Sequence, residues 1–153
     1  MRDPVPQTLS RHFTNLIGRR VAFVKSMAKP KTEEKKVFAV YKSFPSLGII
    51  VLKADLPLIA SFAGALVGMP DAEVRKRVAE PTLDDLTRDA ISEILNVATA
   101  VIATEDRATF MSMAMDASGV EDAAKEILSK PHREFAFDVT VEEHQGGRFQ
   151  ILI

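Results

Sequence analysis

Residues 84–103 read DDLTRDAISEILNVATAVIA, the longest stretch of the chain with a helical pattern. At about 100° per residue, four polar or small side chains fall within a stripe roughly 60° wide, and a broad apolar arc begins beside it. We therefore predict a helix over residues 83–103 that buries the arc against a sheet and leaves the stripe in solvent. The stripe consists of Asp89, Glu93, Asn96 and Ala100, and the arc of Ala90, Ile91, Ile94, Leu95, Val97, Ala98, Val101 and Ile102.

The flanking sequence predicts helices and strands in two similar halves. Periodic apolar residues predict helices over residues 8–19 and 56–68. Asp55 is expected to cap the second of these helices, and Thr82 or Asp84 is expected to cap the helix over residues 83–103. The order is helix, three strands and helix, then helix and three strands with a small helix inserted. This order indicates a duplicated α+β unit within one domain, residues 1–153. The strands are predicted over residues 20–25, 36–44, 48–53, 108–115, 133–142 and 148–153, and the small helix over residues 120–128.

Two connections have specific interpretations. The charged residues 25–36 read KSMAKPKTEEKK and are interpreted as a solvated hairpin loop, with a partner-docking loop as the alternative. Gly146 and Gly147 predict a hairpin between the last two strands.

Two further patterns are assigned structural roles. Met111, Met113 and Met115 alternate with small residues, which predicts one buried face of a strand in preference to a methionine-lined groove. The basic cluster of Arg75, Lys76 and Arg77 is flanked by acidic residues and is interpreted as a solvated helix or loop, with an anion site as the alternative.

Composition argues against several classes of function. The 153 residues carry a formal net charge of −1, so no strong field would recruit nucleic acid or an anionic membrane. Cysteine is absent, which removes disulfides, thiolate catalysis and cysteine-based metal sites. No signal-peptide-like run occurs at the start, so we expect a cytoplasmic protein. His12, His132 and His144 lack zinc-ligand spacing, and no nucleotide-binding or nucleophile-elbow motif is present.

The predicted stripe has a chemical use. A carboxylate and a carboxamide three residues apart lie side by side on a rigid helix. The carboxylate of Glu93 can make a charge-assisted bond to a partner's lysine, and the amide of Asn96 can both donate to and accept from a water molecule. Hydrolysis of an acyl phosphate depends mainly on such positioning and electrostatics.

The spacing of Asp89, Glu93 and Asn96 resembles the motif of the CheC, CheX and FliY chemotaxis phosphatases: an acidic or serine residue, three positions, Glu, two positions, Asn. Residues 53–70, KADLPLIASFAGALVGMP, resemble the family's small-residue helix, and residues 135–153, FAFDVTVEEHQGGRFQILI, resemble its closing strands. The resemblance implies an α+β fold of two swapped helix-and-strand repeats, with an antiparallel sheet of about six strands backed by long helices.

The same resemblance implies a function. The chain would be a phosphatase that acts on the aspartyl phosphate of a CheY-like response regulator in chemotaxis or related two-component signalling. Glu93 would pair with a receiver lysine, Asn96 would orient the attacking water, and Asp89 and Ala100 would contact the partner. A magnesium ion would belong to the receiver, so we expect neither a metal site nor a cofactor in this chain.

The first half carries only an echo of the motif. His12 and Asn15 align with Glu93 and Asn96, so a histidine stands where the glutamate is needed. We therefore expect one active site. A single motif resembles CheX, and this implies a homodimer.

Two positions depart from the family pattern. Ala100 stands where many members have glycine, and Gly119 where a proline is common.

Two other functions are alternatives to the phosphatase. A degenerate member would bind a receiver without catalysis, as a receiver-binding or flagellar-switch-like scaffold. A small-molecule sensor would require a sizeable apolar pocket with convergent polar groups, and the sequence offers no such set.

Overall fold

The computed structural model describes residues 2–28, 34–46 and 48–153. The chain has the predicted α+β architecture, a six-stranded sheet backed by helices. The helices are α1 (Pro6–Ile17), α2 (Leu56–Leu66), α3 (Asp71–Ala79), α4 (Asp85–Val97), α5 (Thr99–Ile102) and α6 (Asp122–Ser129), with a 3₁₀ turn at Ala117–Gly119. The strands are β1 (Val21–Lys25), β2 (Lys36–Phe44), β3 (Ile49–Asp55), β4 (Arg107–Ala114), β5 (Glu134–Val141) and β6 (Gly147–Leu152).

The sheet is built by exchange of strands between the two halves. Its order is β1-β5-β6-β3-β2-β4, and every neighbouring pair is antiparallel. The hairpins β2–β3 and β5–β6 meet at the centre, while β1 pairs with β5 and β4 pairs with β2. Each half therefore donates its first strand to the other half's hairpin, as expected for swapped repeats.

This strand order corrects the interpretation of residues 25–36. β1 and β2 are separated by three strands, so their connection is a crossover and not a hairpin loop. A crossover is needed because β1 must reach the far hairpin. Part of this connection, residues 29–33, lies outside the described residues, and the docking alternative stays a prediction.

The principal core lies between one sheet face and the helices α1, α2 and α4. Helix α2 is central: all residues from Leu56 to Gly64 are buried, and the helix contacts α1, α3 and α4. A helix that is apolar on all sides is expected in such an enclosed position. Within the described ranges, no helix combines the length and apolar character that crossing a membrane requires.

The opposite sheet face carries a smaller core under α6. Phe38 and Val40 of β2 point to this face and pack with Val120 and Ala124. Because β2 lies between two covered faces, residues Val37 to Tyr41 are all buried. The sequence of this strand is accordingly a continuous apolar run.

Asp55 does not cap α2, contrary to the prediction. Its side chain makes no capping bond and instead pairs with the Lys36 ammonium and accepts the Arg148 backbone N–H at 2.8 Å. The carboxylate thus ties β3 to β2 and β6. Only a small residue fits opposite it, since a Cβ at Gly147 would lie 2.9 Å from the Asp55 Oδ2 atom.

The predicted buried face of three methionines is wrong at Met111, whereas Met113 and Met115 pack against the principal core. A β-bulge between Val40 and Tyr41 on β2 leaves Met111 as the extra residue on β4, where it is 52% exposed. One extra residue reverses the inward and outward alternation, so Phe110 before it and Met113 and Met115 after it face the core.

Residues 71–79 form a helix, one of the two forms considered for this stretch. Val74 and Val78, one turn apart, are its buried residues. On its surface, Asp71 pairs with Arg75 at 2.6 Å and Glu73 pairs with Arg77 at 3.1 Å, both at i,i+4 spacing. Such pairs support a helix that has a narrow apolar stripe.

Candidate functional site

Helix α4 carries the candidate residues, and its start is fixed by a side-chain cap. Asp84 accepts the backbone N–H of Thr87 at 3.3 Å and the Thr87 hydroxyl at 2.5 Å. The Thr87 hydroxyl bond is the main cause that lowers the pKa of the Asp84 carboxyl, with Arg77 contributing a further charge. The cap confirms one of the two predicted starts of this helix.

The two faces of α4 are arranged as the periodicity predicts. Ile91, Ile94 and Leu95 are at most 1% exposed and join the principal core. All four members of the stripe, which are Asp89, Glu93, Asn96 and Ala100, are exposed. The structure thus brings the predicted site residues together on one outer edge, while their chemical roles stay predictions.

The side chains of Glu93 and Asn96 have no bonding partner among the described residues. In the described part of the chain, neither side chain makes a hydrogen bond or an ion pair with another residue. No described residue therefore has to be displaced before these groups meet a partner. Because their backbone is held by a buried helical face, the carboxylate and the amide are presented at a fixed spacing.

The exposed edge is acidic. Asp85, Asp89 and Glu93 follow one another at i,i+4 spacing on the solvent side of α4. The nearby Arg77 is already engaged, since it pairs with Asp84 at 2.6 Å and with Glu73 at 3.1 Å. A partner surface that carries lysine or arginine suits this edge.

An apolar shelf lies next to the acidic edge, and the sequence analysis did not identify it. Leu86 is 58% exposed and Val67 is 54% exposed, and both line a shallow depression between α2, α3 and α4. The helices approach closely there, because a Cβ at Gly64 would lie 2.4 Å from the Val74 Cγ2 atom. Leu86 is an apolar residue that lies outside the predicted apolar arc. This position is the feature of the sequence that could have indicated an exposed apolar surface. Leu86 and Val67 together form this apolar shelf.

The equivalent edge of the first repeat differs in chemistry. Asn15 is exposed on α1, but His12 is half-buried, and its Nε2 atom has no hydrogen-bond partner among the described residues. Burial lowers the pKa of His12, which favours the neutral ring. This helix therefore lacks a carboxylate that could bind a lysine.

An open cleft of about 520 Å³ lies on the other flank of α4, beside Arg88. Two of its cations are already engaged: the Lys35 ammonium donates to the Val78 carbonyl at 2.9 Å, and Lys36 pairs with Asp55. Among the described residues, no group of three or more histidine, aspartate or glutamate side chains is placed to hold a metal ion. This cleft has a mixed charged and apolar lining and is not the apolar pocket that a small-molecule sensor requires.

Several solved structures share this architecture. The FliM middle domain from H. pylori matches with a TM-score of 0.63 and 14% identity, over 96% of this chain and 83% of that one. A chain of the FliG–FliM complex from H. pylori matches with a TM-score of 0.62 and 13% identity, over 97% and 86%. FliY from Thermotoga maritima matches with a TM-score of 0.58 and 12% identity, over 94% and 81%. No protein-family model and no curated protein matches the sequence. At these identities the likeness establishes the fold alone, and the chain has the fold of FliY and the FliM middle domain.

Proposed function

We propose that the chain is a phosphatase that hydrolyses the aspartyl phosphate of a CheY-like receiver domain in chemotaxis or related signalling. The observation that carries the proposal is the exposed and unoccupied pair Glu93 and Asn96, one turn apart on a helix whose other face is buried. Receiver domains act in the cytoplasm, and this location is part of the proposal.

The two side chains would divide the work. The Glu93 carboxylate would bind a receiver lysine and thereby set the distance between the helix and the phosphoryl group. The Asn96 amide would hold a water molecule in line with the bond that breaks. The water oxygen then bonds to phosphorus, the bond from phosphorus to the aspartate oxygen breaks, and inorganic phosphate leaves. The water protons pass to the phosphate and the solvent. A magnesium ion held by the receiver would stabilise the charge on the phosphoryl oxygens.

The surroundings of the pair suit a protein partner better than a small molecule. The acidic edge would attract a basic receiver surface, and the apolar shelf would be covered on docking. Asp89 and Ala100 lie at the two ends of the pair, where a partner would touch them. The small side chain of Ala100 would permit a close approach.

Glu93→Ala is expected to lower kcat/KM for phosphorylated receiver about tenfold, mainly by raising KM. The variant loses a charged contact to the partner but keeps the water-orienting amide of Asn96. Phosphate release is measured at several receiver concentrations and at two ionic strengths, because a charged contact weakens in salt.

Glu126→Ala is the matched control for this experiment. Glu126 is an exposed helical glutamate on α6, which packs on the opposite sheet face. Its removal should leave kcat/KM unchanged. A Glu93→Ala enzyme with wild-type kinetics at both ionic strengths would remove Glu93 from the proposed site.

We also infer a homodimer, with the outer edge of β4 as the contact. β4 is the last strand of the sheet, and the exposed side chains of Phe44 and Met111 lie on β2 and β4. Light scattering should give twice the chain mass of 16.8 kDa at micromolar concentration. Met111→Lys, which puts a charge on that edge, should return the mass to that of one chain. A wild-type mass of one chain across that range contradicts the dimer.

A second candidate function is a non-catalytic scaffold that binds a receiver or a flagellar-switch component. The specific observation in its favour is the match to the FliM middle domain, including a chain of the FliG–FliM complex. The two functions are distinguished with a panel of phosphorylated receivers from the same organism. A scaffold would bind one of them without speeding phosphate release, whereas the proposed phosphatase would do both.

A further inference from the structure

The helix that carries Asn96 is interrupted immediately after it. α4 ends at Val97 and α5 begins at Thr99, so the predicted continuous helix over residues 83–103 is broken at Ala98. The Ala98 N–H still bonds the Ile94 carbonyl at 3.0 Å, and the Ile102 N–H bonds the Ala98 carbonyl at 3.1 Å. The break therefore lies between the Ile94 and Ala98 carbonyls, in the turn that contains Leu95.

A tyrosine hydroxyl from the sheet takes the place of the missing helical bond. In an uninterrupted helix, the Leu95 carbonyl would accept from the amide of Thr99. Within the described chain that bond is not formed, and the Tyr41 hydroxyl donates to the Leu95 carbonyl at 2.7 Å. A side chain that enters the helical ladder is a recognised cause of a kink.

Tyr41 is built into the core. Its residue exposure is 0%, and its ring lies 5.6 Å from that of Phe110 on β4, centroid to centroid. Burial raises the pKa of the Tyr41 hydroxyl, so the group stays protonated and acts as a donor. The β-bulge in β4 lies beside this residue, between the partners of Val40 and Tyr41. Bulges often re-aim side chains next to functional sites.

We propose that Tyr41 is a positioning residue for Asn96, an inference that rests on the proposed phosphatase function. The Leu95 carbonyl and the Asn96 nitrogen and Cα belong to one planar peptide unit. A hydrogen bond that holds the Leu95 oxygen therefore fixes the orientation from which the Asn96 side chain projects. Tyr41 touches neither receiver nor water, and it acts through the backbone of its neighbour.

Tyr41→Phe is expected to lower kcat for receiver dephosphorylation about tenfold, while KM changes less than twofold. A small displacement of a group that orients a reactant lowers the rate of the chemical step. Glu93 lies one turn earlier, so receiver binding should be kept. A loss of stability alone would also lower the apparent kcat at constant KM, because less of the protein would be active. The kcat is therefore expressed per folded protein, with the folded fraction of each variant measured by circular dichroism, and a kcat per folded protein equal to that of the wild type would contradict the positioning role.

Ser61→Ala is the matched control. The Ser61 hydroxyl is also fully buried and also donates to a helical carbonyl, that of Pro57, at 2.7 Å. It lies on α2 and makes no bond to α4. This variant should keep the wild-type kcat, and an equal loss of kcat in both variants would overturn the special role of Tyr41.

A spectroscopic readout separates this inference from the proposed function. In the ¹⁵N–¹H spectrum, Tyr41→Phe should shift the side-chain amide signals of Asn96 and leave the Glu93 backbone signal in place. If the wild type releases no phosphate from any receiver, the proposed function fails. The spectrum then tests by itself whether Tyr41 positions the Asn96 side chain. Unmoved Asn96 signals, or an active wild type matched by Tyr41→Phe, overturn the inference.

A second labelled protein covers the case in which Tyr41→Phe does not fold. The chain contains 1 tyrosine, so 3-fluorotyrosine can be introduced at this position alone. The fluorine makes the hydroxyl a stronger donor, and its effect should pass through the Leu95 carbonyl to the Asn96 backbone nitrogen. The Asn96 backbone resonance should move, and an unmoved resonance contradicts the proposal.

Discussion

Asn96→Ala is expected to lower stimulated phosphate release from a phosphorylated receiver at least 100-fold, to the level of the receiver alone. The variant lacks the group that would orient the water, and removal of one such transition-state contact costs about 10²–10³ in rate. Stability should change by no more than about 0.5 kcal/mol, because Asn96 is exposed and its side chain is unbonded in the described chain. Release is followed with and without the purified variant, and unfolding is measured alongside.

The chain provides a matched control for this substitution. Asn15 occupies the corresponding position on α1, in the first repeat, and is also exposed. Asn15→Ala removes the same chemical group from the same kind of element, yet its neighbour is His12 and not a glutamate. It should keep the full rate. Equal rates for Asn96→Ala and the wild type would leave receiver binding as the surviving part of the proposal.

The sequence was sufficient to predict which helix edge faces solvent. In residues 84–103 the apolar positions recur with a helical period, and burial of that arc determines where the remaining side chains point. Ile91, Ile94 and Leu95 are buried while Glu93 and Asn96 are exposed, as that argument requires. Local pattern and tertiary packing agree here, so periodicity alone places the candidate residues on an exposed edge.

The break at Ala98 could not be predicted in this way. The break coincides with the hydrogen bond from the Tyr41 hydroxyl, which is 54 positions away in sequence and reaches Leu95 only in the folded chain. No residue between Leu95 and Thr99 is a helix breaker, so local propensity favours continuity. A long-range hydrogen bond overrides that propensity, and only the strand order reveals it.

Strand pairing was limited by the same lack of long-range information. The strands were predicted, but the charged connection between residues 25 and 36 gave no sign that β1 crosses to the other half of the sheet. Sequence-adjacent strands often pair, and that tendency produced the incorrect hairpin. The register of β4 failed for a related reason, because a bulge at Met111 inverts an alternation that a sequence shows as regular.

Phe13→Ala is expected to cost about 3–5 kcal/mol in the free energy of unfolding, a large fraction of what a domain of this size has. Phe13 has 0% exposure, and its ring stacks on Phe62 at 4.6 Å and on Phe23 at 5.4 Å between centroids. It meets Phe149 edge-on at 5.9 Å. One side chain thus joins α1 to α2, β1 and β6, and its removal leaves a cavity that three rings cannot fill by small shifts.

Thermal and urea unfolding measure this cost, and the midpoint temperature should fall by roughly 10 °C. Asn15→Ala, on the exposed face of the same helix, should change the stability by no more than about 0.5 kcal/mol. A loss below about 1 kcal/mol for Phe13→Ala would contradict the packing, since it would mean that α1 contributes little to the core. If the loss of stability is large, α2 would be held less firmly. This would affect α4 and its Glu93–Asn96 edge, because α4 packs against α2. The aromatic cluster around Phe13 therefore supports the candidate site from the opposite repeat, through α2, which packs against both α1 and α4.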